Sequence, residues 1–263
     1  VPQEEPAEQN PPDGAIINYY LSEKANGIKL EIINAAGVVI RTYTSADTPY
    51  KIPPVNIPHY WIRPPQILSG EKGSHRFLWD LKYAPLNIPA TYPISAIYGN
   101  TEPDQSAPWV MPGNYTVKLS IDGKSYSQSL TVKMDPRVKT TSVVLQQQHD
   151  LSLQTYGNRI ECMNIGKEIQ EYLDALSKTV NTASGSEKER IENLRNQIGQ
   201  LLNGSRIRTE PSISRLTTAF ISLFNQMQES DNPLTSQVIT AVKVTGADFE
   251  KLKLIWARLK KPA

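Results

Sequence analysis

The prolines of this chain are concentrated in its first half. Seventeen of the 20 prolines lie at or before Pro136, and the other three are Pro211, Pro233 and Pro262. Because proline lacks a backbone N–H and fixes φ, it suits loops and sheet edges and is expelled from helix interiors. The distribution therefore predicts a β-rich first region and a helical second region, with the junction at Asp135-Pro136-Arg137.

The length of the chain is sufficient for two ordinary domains. At 263 residues, with 39% hydrophobic and 21% charged residues, each half can bury its own core. The polar, proline-rich start has neither the basic beginning nor the apolar centre of a signal peptide. We expect a linker over residues 1–13, a β domain over 14–137 and a helical domain over 138–263.

Six segments of the first half have the β-branched and aromatic composition of strands. Two pairs of these segments flank short turn sequences, Ala35-Ala36-Gly37 and Asp122-Gly123, which are typical of hairpins. The pattern predicts an antiparallel β-sandwich of the immunoglobulin or fibronectin type, with Phe77, Trp79 and Leu81 on one strand face. The six predicted strands are Ala15–Leu21, Ile28–Asn34, Val38–Thr44, His75–Lys82, Tyr115–Ile121 and Lys124–Val132.

The second half has apolar residues at alternating spacings of three and four. This period is typical of amphipathic helices, each half-buried against its neighbours. Turn and cap residues interrupt it at Ser184-Gly185-Ser186, between Asn203 and Pro211, and at Asp231-Asn232-Pro233. We therefore predict an up-and-down four-helix bundle whose first helix starts near Thr141 and runs for about 40 residues. In that helix the predicted apolar stripe begins Leu153, Tyr156, Ile160, Met163.

Two long connections, Ser45–Ser74 and Ala84–Met111, separate the predicted strands. Loops of this length in a compact domain are often functional or pack against a neighbour. Exposed aromatic rings in them could stack on the apolar face of a sugar. The alternative is that the rings fill the open ends of the sandwich or dock on the bundle, which we favour because burying a ring is worth a few kcal/mol. The candidate ligand-binding rings are Tyr60, Trp61, Tyr92, Tyr98 and Trp109.

The usual signatures of metalloenzymes and hydrolases are not found in the sequence. The three histidines, His59, His75 and His149, are widely separated, and none has a partner ligand two to four residues further along the chain. The sequence contains no Gly-x-Ser-x-Gly elbow, phosphate-binding glycine loop or His-Glu-x-x-His motif. The single cysteine, Cys162, falls within a helical pattern, where packing is the expected role. We expect no metal and no cofactor.

A glycosidase would need two carboxylates that face a sugar. Asp80 follows a predicted strand, and Glu102 and Asp104 lie in the second long connection, so spacing does not pair them. The net charge of +2 gives no reason to expect a nucleic acid, and no stretch approaches the roughly 20 apolar residues of a membrane span. We therefore expect a chain that is not an enzyme.

Four motifs occur together in this order along the chain. They are Asn-Pro-Pro-Asp-Gly-Ala-Ile-Ile-Asn-Tyr-Tyr-Leu over 10–21, Phe-Leu-Trp-Asp-Leu-Lys-Tyr over 77–83, Pro-Gly-Asn-Tyr-Thr-Val over 112–117, and Asp-Pro-Arg-Val over 135–138. With them the chain resembles the C-terminal region of large secreted bacterial proteins that carry an N-terminal sortilin-like or BNR-repeat β-propeller and are often labelled glycosyl hydrolases. The β region also resembles the immunoglobulin-like domain of flagellar hook-capping proteins.

This resemblance implies export to the periplasm, the cell surface or the medium. It also implies that any hydrolytic activity belongs to the propeller, so no catalytic residue carries over to this chain. We expect a non-catalytic accessory region that docks against a β-propeller of the same polypeptide or against another protein. The alternative is a carbohydrate-binding module that uses the loop aromatics. A stand-alone enzyme would require a pocket in which remote acidic groups converge.

Overall fold

A computed structural model describes residues 13–63, 65–92, 99–104, 106–205 and 210–260. The chain divides between Pro136 and Arg137 into two compact units, which we call the sheet unit and the helical unit. Tyr98, one of the five candidate ligand-binding aromatics, lies outside the described residues.

The sheet unit contains two antiparallel sheets. A four-stranded sheet has the order β3-β2-β5-β6, and a two-stranded sheet pairs β1 with β4. The prediction of six antiparallel strands is confirmed, and the bounds of the first and last strands agree with it. The strands are β1 Ala15–Leu21, β2 Ile28–Ile33, β3 Val39–Thr44, β4 Gly73–Trp79, β5 Gly113–Ile121 and β6 Lys124–Val132.

The turn between β5 and β6 has the geometry that its sequence predicts. Asp122 and Gly123 both have positive φ, 45° and 88°, as the two central residues of a type I′ hairpin turn require. The Asp122 carboxylate also accepts hydrogen bonds from the N–H groups of Asn26 and Gly27, at 3.1 and 3.0 Å. The turn therefore fixes the β1–β2 connection as well as its own hairpin.

Both sheets contribute to one apolar core. Trp79 belongs to this core and is fully buried, and its ring meets Tyr115 edge-on, with centroids 5.5 Å apart. Tyr43 and Phe77 make a similar contact at 4.6 Å. The long connections add residues to this core, whose buried members are Leu21, Ile28, Leu30, Ile32, Ile40, Leu68, Phe77, Trp79, Val110, Tyr115 and Val117.

The fourth strand ends earlier than the sequence predicts. Phe77 and Trp79 share the buried face, but Leu81 lies beyond the strand with a φ of 57°. A leucine in this region is strained, and such residues persist only where the surroundings hold them. Leu81 packs partly against the core, and its carbonyl accepts from Val110 N at 2.9 Å, so tertiary contacts stabilise the turn.

The helical unit contains the four predicted helices. The first has 39 residues, close to the predicted length. Two helix starts are capped by side chains: Ser212 Oγ accepts from Arg215 N, and Thr235 Oγ1 accepts from Val238 N. The helices are α1 Ser142–Val180, α2 Gly185–Asn203, α3 Ile213–Gln228 and α4 Ser236–Leu259.

The main core of the helical unit draws on all four helices. Phe220 meets Phe249 edge-on at 5.7 Å, and Tyr172 meets Trp256 at 5.6 Å. The Trp256 indole donates to Glu168 at 3.0 Å, so its polar atom is satisfied at the edge of the core. The buried members are Cys162, Ile169, Ile198, Leu201, Ile213, Leu216, Phe220, Phe249, Leu252 and Trp256.

The predicted apolar stripe in the first part of α1 is wrong. Ile160 is exposed and Leu153 is only partly buried, whereas Ser152, Thr155 and Arg159 are buried. The two hydroxyls donate to carbonyls one turn back, Gln148 O and Leu151 O, both at 2.8 Å. Because their polar atoms are satisfied within α1, these residues can occupy the buried face.

No helix in the described part of the chain has the length and apolar character needed to cross a membrane.

Candidate functional site

The two long connections of the sheet unit are bonded to each other. Thr101 N donates to Trp61 O and Arg63 N donates to Thr101 O, both at 2.9 Å, which forms a parallel bridge between Ile62 and Thr101. Thr101 itself is buried. Pairing of this kind removes the freedom that long loops otherwise keep.

The second connection also folds back on itself. Tyr83 N donates to Pro108 O at 3.0 Å, and Asp104 N donates to Thr91 O at 2.7 Å. Together with the bond between Val110 and Leu81, these contacts pair the two ends of the connection next to β4 and β5. We call the paired connections the loop platform, which comprises the described residues 45–63, 65–72, 80–92, 99–104 and 106–112.

A cavity of about 210 Å³ opens at the base of the loop platform. Its walls combine three cations and four carboxylates with the rings of Tyr43, Phe77 and Tyr83. We call it the loop cavity. Its charged lining residues are Arg41, Arg63 and Lys82 with Asp13, Asp80, Glu102 and Asp104.

Glu102 forms ion pairs with two of the three cations of the loop cavity. Arg63 forms a close ion pair with Glu102 through Nη2, and Lys82 Nζ lies 3.7 Å from the other carboxylate oxygen. Arg63 also reaches Asp13 at 3.4 Å. The platform is therefore held by charge pairs between segments that are far apart in the sequence.

The Lys82 side chain is more enclosed than those of Arg63, Glu102 and Asp13. Burial lowers the pKa of Lys82, and the charge of Asp80 acts in the opposite direction. Its ammonium lies 4.3 Å from the centre of the Trp109 ring, a cation–π contact. Lys82 thus joins a loop aromatic to the ionic cluster.

Arg41 and Tyr43 form the wall on the β3 side. The Arg41 guanidinium lies 4.7 Å from the Tyr43 ring centre and donates from Nη1 to Tyr83 O at 3.4 Å. Its Nε is buried and has no hydrogen-bond partner among the described residues. Burial, with the charge of Asp80, raises the pKa of Tyr43 to about 12, so this hydroxyl stays protonated at neutral pH.

The loop cavity brings together the carboxylates that sequence spacing does not pair. Asp80, Glu102 and Asp104 all line it. Asp80 accepts from the backbone N–H of Lys82 at 3.2 Å, which closes the turn after β4. The sequence analysis missed three functional candidates, Arg41, Arg63 and Lys82. The only sequence signal for a site here was the length of the two connections.

The four described candidate aromatics do not share one environment. Tyr60 is 68% exposed and Trp109 is 44% exposed, while Trp61 is partly buried and carries the carbonyl that accepts from Thr101. Tyr60 and Trp61 meet edge-on at 6.5 Å. The Tyr92 hydroxyl is 2.6 Å from that of Tyr50, which joins the two connections again. Trp61 and Tyr92 therefore make contacts that stabilise the platform, whereas Tyr60 and Trp109 are exposed on it.

The histidines and the cysteine lie apart. His59 starts a short 3-10 helix, His75 donates from Nε2 to Glu71 O at 2.6 Å, and His149 lies on α1. Within the described ranges, no group of three or more His, Cys, Asp or Glu side chains could hold a metal ion. Cys162 is buried in the helical unit, and burial raises the pKa of its thiol, so it is held as a neutral packing group.

Two comparisons with known proteins give no match. A scan against models of known protein families finds no family that fits the chain, and a search of curated proteins finds no significant relative. The resemblance drawn from the four sequence motifs therefore stays a prediction.

Proposed function

We propose that this chain is a non-catalytic docking region of an exported protein, and that the loop platform is its principal contact surface. The observation that carries the proposal is the mutual pairing of the two long connections through Thr101, Arg63 and Glu102. A loop surface fixed before binding loses less entropy when a partner arrives. Exposed Tyr60 and Trp109 supply the aromatic contacts that dominate protein interfaces.

The proposed architecture is an immunoglobulin-like sandwich followed by an up-and-down four-helix bundle. The order β3-β2-β5-β6, with β1-β4 packed over the same core, matches strands C′-C-F-G and B-E of that sandwich. For the bundle, the support is that α1 packs against α2, α3 and α4. Such scaffolds present loops at the ends of a rigid core.

The contacts of the acidic residues in the loop cavity support a structural role. Glu102 is held between two cations and Asp80 closes a turn. A general acid needs a carboxyl that stays protonated at working pH, which an apolar site favours and adjacent cations oppose. We infer that these carboxylates fix the platform.

The proposed partner is a β-propeller of the same polypeptide or another exported protein, as the motif resemblance implies. The functional test is turnover of a panel of polysaccharides and peptides by the purified chain, together with the Glu102→Gln and Asp80→Asn variants. We expect no turnover above that of a heat-denatured control. Turnover that either substitution abolishes would establish an enzyme and overturn the proposal.

A second candidate function is carbohydrate binding, which the exposure of Tyr60 and Trp109 favours. It predicts that a polysaccharide in solution quenches tryptophan fluorescence, and that Trp61→Ala or Trp109→Ala removes the effect. Trp256→Phe in the helical unit is the matched control, because its ring lies in the core of the other unit. Quenching that survives both loop substitutions would exclude the platform as the sugar site.

A further inference from the structure

Among the residues that the structure describes, nothing pairs with the outer edge of β1. In the described part of the chain β1 pairs with β4 alone, so their sheet has two strands. The far edge of β4 is partly covered, because Gln66 Oε1 accepts from Leu78 N at 2.9 Å. An open edge offers unpaired N–H and C=O groups to which another strand can bind.

The hydrogen bond to Gln66 shows which backbone groups of β1 point away from β4. Leu78 lies opposite Ile16, and its N–H bonds to Gln66 instead of across the pair. Ile16 and Leu78 are therefore a non-hydrogen-bonded pair, and such pairs alternate with bonded ones along an antiparallel ladder. The N–H and C=O groups of Ile16, Asn18 and Tyr20 consequently face the open edge.

The side chains of β1 suit strand addition. Ala15–Leu21 contains no charge and no proline, and Ile16 and Tyr20 are 45% and 66% exposed. Natural edge strands are usually protected by lysine or other charges. β3 carries Arg41 and β6 carries Lys124, but β1 lacks such protection.

The sequence of β1 is self-complementary about Asn18. In an antiparallel pairing of two copies centred there, Asn18 faces Asn18 and Ile16 faces Tyr20. The outward groups of all three residues then meet as hydrogen-bonded pairs. The Ile–Tyr pairs combine a β-branched with an aromatic side chain, which is a favourable cross-strand pair, and no like charges of β1 meet.

We infer that β1 pairs with β1 of a second copy of this chain about a twofold axis, which joins two two-stranded sheets into one of four strands. The pairing also covers Ala15, Ile17 and Tyr19, which are only partly buried against the core. This inference goes beyond the docking role and does not depend on the loop platform. An experiment can therefore overturn the β1 dimer without overturning the docking role, and the reverse.

The test is sedimentation of the full chain over roughly 1–100 µM. We expect a reversible dimer whose dissociation constant rises at least about tenfold in Asn18→Pro, because the lost N–H faces the second copy. Asn18→Lys weakens the dimer about fivefold, because the two lysines meet each other beside Arg76, the residue opposite Asn18 on β4. A mixture of Asn18→Lys with Asn18→Asp restores the dimer as a heterodimer. Ser127→Lys, at an exposed position of the β6 edge, should leave the dimer unchanged.

Circular dichroism shows whether each variant is folded. If Asn18→Pro does not fold, the mixture of Asn18→Lys with Asn18→Asp decides whether β1 holds the dimer together. A monomer throughout the concentration range overturns the inference, even if β1 then binds a strand of another protein. A dimer that persists in Asn18→Pro and Asn18→Lys also overturns it, because another surface would then hold the copies together.

Discussion

The two units of this molecule place their polar side chains in different ways. In the helical unit, the buried polar residues of α1 lie about one turn apart, and Ser152 and Thr155 bond to carbonyls of their own helix. In the sheet unit, Arg63, Lys82 and Glu102 come from distant segments and meet in the loop cavity. Neutral hydrogen bonds, both within α1 and from Gln148 Nε2 to Met227 O of α3, allow polarity on a buried helix face. The loop platform depends instead on long-range charge pairs.

The sharpest test of this comparison removes one core ring from each unit. Trp79 and Phe249 are fully buried, and truncating such a ring to alanine costs about 3–5 kcal/mol. We expect Trp79→Ala to lower the denaturation midpoint of the sheet unit, and Phe249→Ala that of the helical unit. Far-UV circular dichroism follows mainly the helical unit, and hydrogen exchange of the strand amides follows the sheet unit. Equal loss of both transitions in either variant would show that the units unfold as one.

Alkaline pH should destabilise the sheet unit. Burial raises the pKa of Tyr43 and of Tyr115 to about 12, against 10 for an exposed tyrosine. The folded state therefore keeps these protons to higher pH than the unfolded state does. The resulting stabilisation is complete below pH 10 and is lost as pH rises through 12, by about 1–2 kcal/mol per residue once solvent screening is allowed for. Denaturation midpoints at several pH values measure this loss.

Tyr43→Phe is the control for the alkaline effect. It removes one ionisable hydroxyl and keeps the ring that Arg41 contacts. We expect its stability to fall less than that of the unmodified chain between pH 10 and 12. An identical fall in both proteins would exclude Tyr43 as a source of the effect.

In the helical unit, replacing a buried charge should increase stability. Arg159 is buried, its Nε has no partner among the described residues, and burial lowers its pKa. An apolar side chain of similar length avoids the desolvation cost of Nε, so Arg159→Met should stabilise the unit by at most about 1 kcal/mol. Thermal denaturation followed by far-UV circular dichroism measures the change. A lower midpoint would mean that the guanidinium makes a stabilising contact.

The smallest expected effect comes from the loop cavity. Glu102→Gln leaves Lys82 enclosed without its ion pair and should cost the sheet unit about 1 kcal/mol. Glu71→Gln breaks the highly exposed pair with Lys24 and should cost less than about 0.5 kcal/mol. Urea denaturation of both variants gives the difference. Equal costs would show that the cavity pair is no stronger than a surface pair.

The sequence predicts the helices and strands better than it predicts the tertiary contacts between distant residues. The strands Ala15–Leu21 and Lys124–Val132 and the long helix α1 follow from composition and period, because these are local properties. The polar face of α1 was missed because local hydroxyl bonds remove the cost of burying Ser152 and Thr155. The loop cavity was missed because no spacing relates Arg41 or Lys82 to Glu102; only the folded connections bring them together.

The docking role is tested most directly by amine crosslinking in the source cells, followed by mass spectrometry. Lys51 and Lys72 lie on the loop platform and are exposed, whereas Lys188 is an exposed control on α2. Our account predicts crosslinks from Lys51 and Lys72 to a β-propeller or another exported protein, and these should weaken in Trp109→Ala. Crosslinks from these lysines that stay within the chain, while Lys188 reaches a partner, would contradict it.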